Sequence, residues 1–489
     1  MRKLKPSNNA FSDILGDFSP TGIEVLDDVL GGGFPRSSLI ILTGKPGTGK
    51  TIFGANFLYR GVVDYGEGGV YVSFVESREM FYKCMKALGV DLEGLENSGK
   101  FCFLDLLAVK EKAIPLLVDS IINEVCKVGA KRLVLDSYSA LAQAFKSPFE
   151  SRIFISTILS RLIRGMGCTI LLIKETGGDE ESFGTEEFVA DGVIRFSATG
   201  IEGRRLRSLE ILKLRGVRIE VPKLIFTLDG GFRVFRPFEF KFPERSESFQ
   251  PPIDPPGKYS TGLNEMDNIL GGGMPESSFM ILECDERIPI IIVPLLVHSM
   301  TASFLLKGRG VIIAPSSGIN YASLSEFLKL YGVTSEHCMR SLRVIVLGRT
   351  VETEKPSEYE ITLSGDDWKK DMEYVQKAFG KFIFEAGRPI LLFVCAATLA
   401  SLYGDEKCLE ILRSVAAQTK NGRALLIAIV GAGYRDLAIK LSLLSDFYLR
   451  LVSKYGCPIL YGVKPTTPLY AVEVDASKGY PKAKLTPII

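Results

Sequence analysis

Gly44-Lys45-Pro46-Gly47-Thr48-Gly49-Lys50-Thr51 is the run in this chain best equipped for chemistry, and it fits the pattern G-x-x-x-x-G-K-[ST]. Glycines at this spacing let successive backbone N–H groups face one point and form an anion nest. Apolar Leu39-Ile40-Ile41-Leu42 precedes the run and reads as a buried strand; Ile52 to Tyr59 follows and reads as a helix. The N-terminus of such a helix adds partial positive charge behind a bound phosphate. In this context Lys50 reaches the β- and γ-phosphates and Thr51 ligates Mg²⁺. Gly44, Pro46, Gly47, Thr48, Gly49 and Ile52 complete the cradle. The implied cofactors are ATP and Mg²⁺.

Two carboxylates stand where such a loop would use them. Asp136, followed by Ser137, ends the apolar strand Leu133-Val134-Leu135, the position of a Mg²⁺-shell acid. Glu76 lies just past the strand Gly69 to Phe74, where a carboxylate can orient and activate water. These strands alternate with helical stretches at Ile114 to Val128 and Arg152 to Gly165, and Thr169 to Ile173 follows as a further strand. That rhythm predicts α/β architecture: a mostly parallel twisted sheet with helices on both faces. Chemistry in such sheets gathers at the carboxyl ends of the strands.

The chain also matches itself. Thr21 to Leu42 is echoed by Thr261 to Leu282 at an offset of 240 residues, with a shared Leu-Gly-Gly-Gly-x-Pro-x-Ser-Ser core. That period suits two whole domains and is too long for a solenoid. The second copy departs at the phosphate loop, where Lys50 becomes Ile290 and Thr51 becomes Ile291. Val394 stands where Asp136 stood, and Ser317 stands where Glu76 stood. The expectation is an intact domain over 1–242, a Pro-rich semi-rigid linker over 243–257 and a degenerate domain over 258–489. The two prolines of Ile288 to Pro294 read as a repacked core where a ligand once sat, or as a docking surface.

Composition narrows the rest. A net charge of +2 gives no support to bulk nucleic-acid attraction. Nine scattered cysteines and two histidines argue against a zinc site and suit a reducing cytoplasm. The N-terminus has no apolar signal region, and Ile288 to Val297 and Ile390 to Ala400 are too short to span a bilayer.

The Gly-Gly-Gly-x-Pro opening, the 44–51 loop and Asn56 to Gly61 resemble the KaiC family of RecA-like ATPases. So do Tyr71 to Ser77, Leu135-Asp136-Ser137, Gly184 to Asp191 and, most specifically, Glu202 to Gly216. The resemblance covers the first half nearly end to end, and the tandem arrangement fits the whole chain. It implies two tandem RecA-like P-loop domains and a homo-oligomeric ring, usually a hexamer, with ATP between subunits. Lys50 and Thr51 would then act in cis, and Lys213 and Arg215 would reach the neighbour's nucleotide.

Two departures shape the expected activity. The family has two adjacent glutamates at the water-activating position; here the pair is Val75 and Glu76. A lone Glu76 points to slow hydrolysis. The second half lacks the loop lysine, the acid and the Lys-Leu-Arg-Gly run, which becomes Ala476-Ser477-Lys478-Gly479. That argues against Ser/Thr autokinase activity of the clock type and for a pseudo-ATPase that shapes the ring or recruits a regulatory protein. A recombinase is the rival, but the acid-rich loop from Lys174 to Glu187 would repel DNA phosphates. A nucleotide-gated scaffold with negligible turnover is the other alternative.

Overall fold

Two-residue alternation splits the apolar residues of the first central strand between two faces. Along β1 (Leu39–Gly44), Ile40 and Leu42 join one core cluster with Phe53, Phe57 and Tyr71. Leu39 and Ile41 join another with Val70, Leu133 and Ile170. A strand buried on both faces belongs to a parallel sheet covered by helices on either side. The computed structural model describes residues 18–106, 114–142, 145, 153–157, 162, 163, 165–176, 185–243, 247, 249–315, 321–347, 359–386, 389–422 and 424–489, and this architecture occurs in it twice. The chain divides into Met1–Arg236 with Ile488–Ile489, and Pro237–Pro487. Both units are RecA-like α/β domains. Ser317, residues 177–184 of the acidic loop, the basic N-terminus and much of the helix expected over 152–165 lie outside the described residues.

The first sheet adds β2 (Gly68–Ser73), β3 (Phe101–Asp105), β4 (Ala130–Asp136), β5 (Thr169–Glu175), β6 (Gly192–Ile201), β7 (Arg204–Leu214), β8 (Lys223–Thr227) and β9 (Arg233–Phe235). Its order is β9-β8-β7-β6-β1-β5-β4-β2-β3. The strands from β6 through β1 to β3 are parallel, and β6 to β9 form antiparallel hairpins. Helix α1 (Lys50–Tyr65) begins at Lys50, two residues before the sequence reading, with Gly49 at φ 106° as its N-cap. Phe53, Phe57 and Leu58 recur at helical spacing and bury one face against β1.

The second sheet repeats the plan with β10 (Phe279–Cys284), β11 (Gly310–Ala314), β12 (Leu342–Leu347), β13 (Glu360–Leu363), β14 (Ile390–Cys395), β15 (Ala424–Gly431), β16 (Phe447–Lys454), β17 (Cys457–Lys464), β18 (Leu469–Asp475) and β19 (Lys482–Ile488). Its order, β13-β12-β11-β14-β15-β10-β16-β17-β18-β19, is that of the first with an added parallel edge strand. The counterpart of α1 is α3 (Ile292–Leu306), preceded in the chain by α2 (Arg78–Ala87) of the first unit. Unlike α1, it is buried nearly all round. Ile390 to Ala400 is a strand running into a helix, as its sequence predicts.

The segment expected to be a spacer is instead bound to the second unit. Phe249 packs edge-on against Tyr331 and Tyr480, with ring centroids 5.4 and 5.1 Å away. Asp254 pairs with Lys307 at 2.8 Å and Arg309 at 2.7 Å. Burial pushes this carboxyl up, but the hydrogen bonds from those two side chains hold it below the usual carboxylate range. Proline content made the segment look independent; one aromatic and one ion-pair triad anchor it.

His298 on α3 gives the second unit a pH dependence. Burial lowers its pKa from 6.5 to about 3, so the folded unit keeps the ring neutral. Below pH 6.5 the unfolded chain takes up a proton that the folded chain refuses. The stability contribution is therefore present above that pH and is lost as pH falls toward 3. The expected loss by pH 4 is on the order of 3 kcal/mol. Denaturation followed by Trp368, the chain's single tryptophan, should show it. His298→Leu should flatten the slope between pH 7 and 4; an unchanged slope would rule this histidine out.

Candidate functional site

The loop after β1 has the geometry its glycines predict. Gly44 has φ 148°, and a Cβ there would lie 2.2 Å from the Phe196 carbonyl oxygen. Only glycine fits this close approach of β6. Lys50 is 4% exposed, and its ammonium donates to the carbonyls of Gly44 at 2.8 Å and Lys45 at 3.0 Å. Burial lowers its pKa, while Glu175 and Asp136 act in the opposite direction.

Asp136 comes from the end of β4, two strands away in the sheet, and meets the start of α1. The Thr51 hydroxyl donates to its carboxylate at 2.7 Å. The Tyr71 hydroxyl donates to the same oxygen at 2.5 Å. Burial raises the Asp136 pKa, and the bonds from Tyr71 and Thr51 oppose that rise. Tyr71 was missed by sequence reasoning, which took β2 only as a strand. The alternation of that strand was the available signal, since it turns Tyr71 and Ser73 toward the α1 side. Ser73 was missed too: its hydroxyl donates to the Glu76 carbonyl at 2.8 Å and accepts from the Glu76 amide at 2.9 Å. It thereby fixes the loop carrying Glu76. Partial burial, then the negative Asp136, raise the Glu76 carboxyl.

This donor set fits a nucleotide and a hard cation. The loop is rich in glycines that leave its backbone uncovered at Gly47, and it adds one buried ammonium and a hydroxyl–carboxylate oxygen pair of the kind Mg²⁺ takes. Among the described residues no cluster of three or more His, Cys, Asp and Glu competes as a metal site.

Lys50, Thr51 and Asp136 are brought together; Lys213 and Arg215 are not. Lys213 on β7 pairs with Val193 near the start of β6, whereas Gly44 pairs with Phe196 further along. Three residues of strand, about 10 Å, separate the two registers. The Lys213 ammonium donates to the carbonyls of Glu187, Phe188 and Ala190 at 3.1, 3.1 and 2.6 Å. Arg215 is exposed and lies 3.5 Å from Asp191.

A family model described as the KaiC ATPase matches residues 19–237. A UPF0273 protein of Methanocaldococcus jannaschii is 35% identical over 212 residues, which are 40% of this chain and 86% of that protein. The chain belongs to the KaiC-like family. It is also 30% identical over 288 residues to the circadian clock oscillator protein KaiC of Synechococcus elongatus, covering 56% of this chain and 53% of that one. The chain thus spans about half the length of the clock protein it matches. A crystal structure of a KaiC-like protein from Pyrococcus horikoshii is 32% identical, covering 44% of this chain and 98% of that one at a TM-score of 0.41. As a member of this family, the chain is a nucleotide-binding P-loop ATPase. Among the described residues no helix is long and apolar enough to cross a membrane.

The second KaiC-like unit lacks the loop lysine, the hydroxyl and the acid, with two corrections to the sequence reading. Lys464, which pairs with Tyr448 beside Ile281 as Lys213 pairs with Val193 beside Ile41, occupies the Lys213 position, and Ala476 to Gly479 lies one strand further on. The second correction concerns the acid. In the first unit Leu42 pairs with Ile173, and Leu135 with Leu172, so Asp136 lies beside Ile173. In the second unit Leu282 pairs with Ile429, and Ile429 with Cys395. Cys395, not Val394, therefore occupies the Asp136 position. A one-residue slip turns the side chain to the other face of the sheet, and Val394 belongs to the core on that other face.

Proposed function

We propose that the first unit binds Mg·ATP at Gly44 to Thr51 and hydrolyses it slowly at the interface between copies of this chain. Gly44, Pro46, Gly47, Thr48, Gly49 and Ile52 would line the phosphates, with Ser137 beside them. Lys50 would neutralise phosphate charge. Thr51 and Asp136 would hold Mg²⁺, which when bound supplies Lewis-acid charge to phosphate oxygens. Tyr71 fixes the Asp136 carboxylate, and Glu76, held by Ser73, orients the attacking water. The second unit, without lysine, hydroxyl or acid at these positions, binds no nucleotide and has no autokinase activity. It serves the ring, a hexamer by family resemblance, or a regulatory protein partner. Nine free thiols suit a cytoplasmic setting.

The observation that carries the interface reading is the sheet register. Lys213 and Arg215 lie toward the opposite end of β6 from the loop of their own chain. Basic groups that cannot reach their own site can stabilise transition-state charge in a neighbour's. Lys213→Ala is expected to lower steady-state phosphate release by roughly 10²- to 10³-fold. Mixing it with inactive Lys50→Ala chains should restore part of the rate, because some interfaces then combine an intact loop with an intact Lys213. No restoration would mean that Lys213 does not act in trans. Saturation at two nucleotides per chain would sink the reading of the second unit.

A nucleotide-gated scaffold is the second reading, and Val75 favours it: an exposed valine stands where the family resemblance implies a second glutamate. Absence of turnover in the unaltered chain, with tight binding retained, would establish it. Against a recombinase, Lys174 is tied up by Glu186 and Glu187 at 2.6 and 2.7 Å. Turnover should accordingly be indifferent to single-stranded DNA.

A further inference from the structure

The phosphate loop of the second unit has not collapsed onto the sheet. A cavity of about 340 Å³ lies where the nucleotide-binding elements used to be. Its walls include Cys284 and Ile290, the counterparts of Gly44 and Lys50, and Cys395, the counterpart of Asp136. Ile313 and Phe393 form its floor, and His298 of α3 lines it as well.

The register shows why the space is empty. In the first unit Ile40, Leu171, Val134 and Tyr71 form one row across the sheet. The matching row of the second unit is Met280, Ile427, Phe393 and Ile313. Ile313 thus takes the place of Tyr71, and Val344, paired with Ile313, takes that of Phe103, paired with Tyr71. In the first unit Tyr71, Phe81 of α2 and Phe103 fill this region, with ring centroids 4.4 to 5.7 Å apart. In the second unit α4 (Tyr321–Lys329) contributes Leu324 to the cavity wall. Two rings have been replaced by short aliphatic chains; Phe393, in the place of Val134, takes up part of the difference, and among the described residues the rest is left as the cavity.

The chemistry of the walls selects the ligand. The described lining is overwhelmingly hydrocarbon and sulfur. A stable buried water needs two to four polar partners. Thr301 spends its hydroxyl on the Val297 carbonyl at 3.1 Å. His298 is 8% exposed, and its Nδ1 has no hydrogen-bond partner among the described residues. Such an orphaned buried nitrogen is costly unless a ligand satisfies it. The loop between Cys284 and Ile288 carries Asp285 and Glu286 against Arg287 alone, which disfavours a phosphate or carboxylate. A cavity of roughly 150 Å³ takes one benzene ring, so this one takes a molecule about twice that size.

We propose that the former phosphate site of the second unit binds an uncharged apolar small molecule of about twelve non-hydrogen atoms bearing one hydroxyl. The hydrocarbon part fills the space left by the missing rings, and the hydroxyl meets His298 Nδ1. This inference stands apart from the ATPase reading, because it uses only residues of the other unit.

The test is calorimetric titration of the full chain with 2-naphthol and with 1-decanol, using decanoate as the charged counterpart. At least one neutral probe should bind at one site per chain with a negative heat-capacity change, with or without Mg·ATP. Decanoate should bind at least tenfold more weakly than 1-decanol. Ile313→Phe, which returns a ring to the floor, should weaken binding at least tenfold. A measurement without a variant runs beside it: with labelled isoleucine methyls, Ile288, Ile290, Ile313 and Ile429 should shift on binding while Ile40 and Ile41 do not. No saturable binding by either neutral probe up to its solubility limit would overturn the proposal. So would decanoate binding more tightly, equal affinity in a folded Ile313→Phe chain, or methyl shifts confined to the first unit.

Discussion

Lys50→Ala is expected to lower kcat for ATP hydrolysis by roughly 10³-fold. The ammonium is almost wholly enclosed, 4% exposed, and is held in the mouth of the loop by the Gly44 and Lys45 carbonyls. A charge so shielded from water acts through a lower effective dielectric than a surface lysine, so its effect on developing phosphate charge is larger. Those two carbonyl contacts are replaceable by phosphate oxygens at small cost, since both partners are neutral acceptors. Lys50→Arg should also fail, because the enclosed space is shaped for an unbranched ammonium and not a planar fork. Steady-state phosphate release and equilibrium binding of labelled ATP, measured side by side, separate lost chemistry from lost affinity. Turnover within tenfold of the unaltered chain would remove Lys50 from the proposed mechanism.

Arg132→Ala carries the largest expected cost in stability, about 3 kcal/mol for the first unit. Arg132 is fully buried at the start of β4. It pairs with Glu67 at 2.6 Å and donates to the carbonyls of Pro20 at 2.7 Å and Phe57 at 2.9 Å. Its guanidinium also lies 4.5 Å from the Phe57 ring centroid. Removing it strands two buried carbonyls and half-strands a carboxylate. Arg36, 2.6 Å from Glu67, limits the loss. The same side chain explains Gly61: a Cβ there would lie 2.3 Å from Arg132 Cδ. Gly61→Ala should therefore be destabilising alone and nearly neutral in an Arg132→Ala background, a coupling that a double-mutant cycle measures. Amide exchange across α1 reads the first unit by itself; additive effects would contradict this account.

The P-loop, the Asp136 strand end and the tandem duplication were legible because each is a local or self-referential pattern. Gly44, Lys50 and Thr51 lie within one strand–loop–helix, so eight residues in sequence carry their geometry. Asp136 was placed by the apolar strand before it. The degeneracy of the second half was equally plain, since Ile290 and Ile291 carry neither ammonium nor hydroxyl. Tyr71 was not legible as a partner of Asp136, which is 65 residues away. Strand alternation could place it on the α1 face, but nothing local says that a carboxylate meets it there. The linker misled for the opposite reason. Its prolines speak to local backbone stiffness, whereas Phe249 and Asp254 are held by residues that follow much later.

By itself, then, the sequence determined the family, the parallel α/β plan and the identity of the intact loop, because these depend on residue type and short spacing. Only the tertiary structure decided which face each strand residue takes and what it meets there. Side-chain direction reverses at every residue of a strand, so a one-residue uncertainty exchanges Val394 for Cys395 at the Asp136 position. Register across the sheet likewise set Lys213 and Arg215 away from their own loop. It also aligned Ile313 and Val344 with Tyr71 and Phe103, opening a cavity that no local pattern announces.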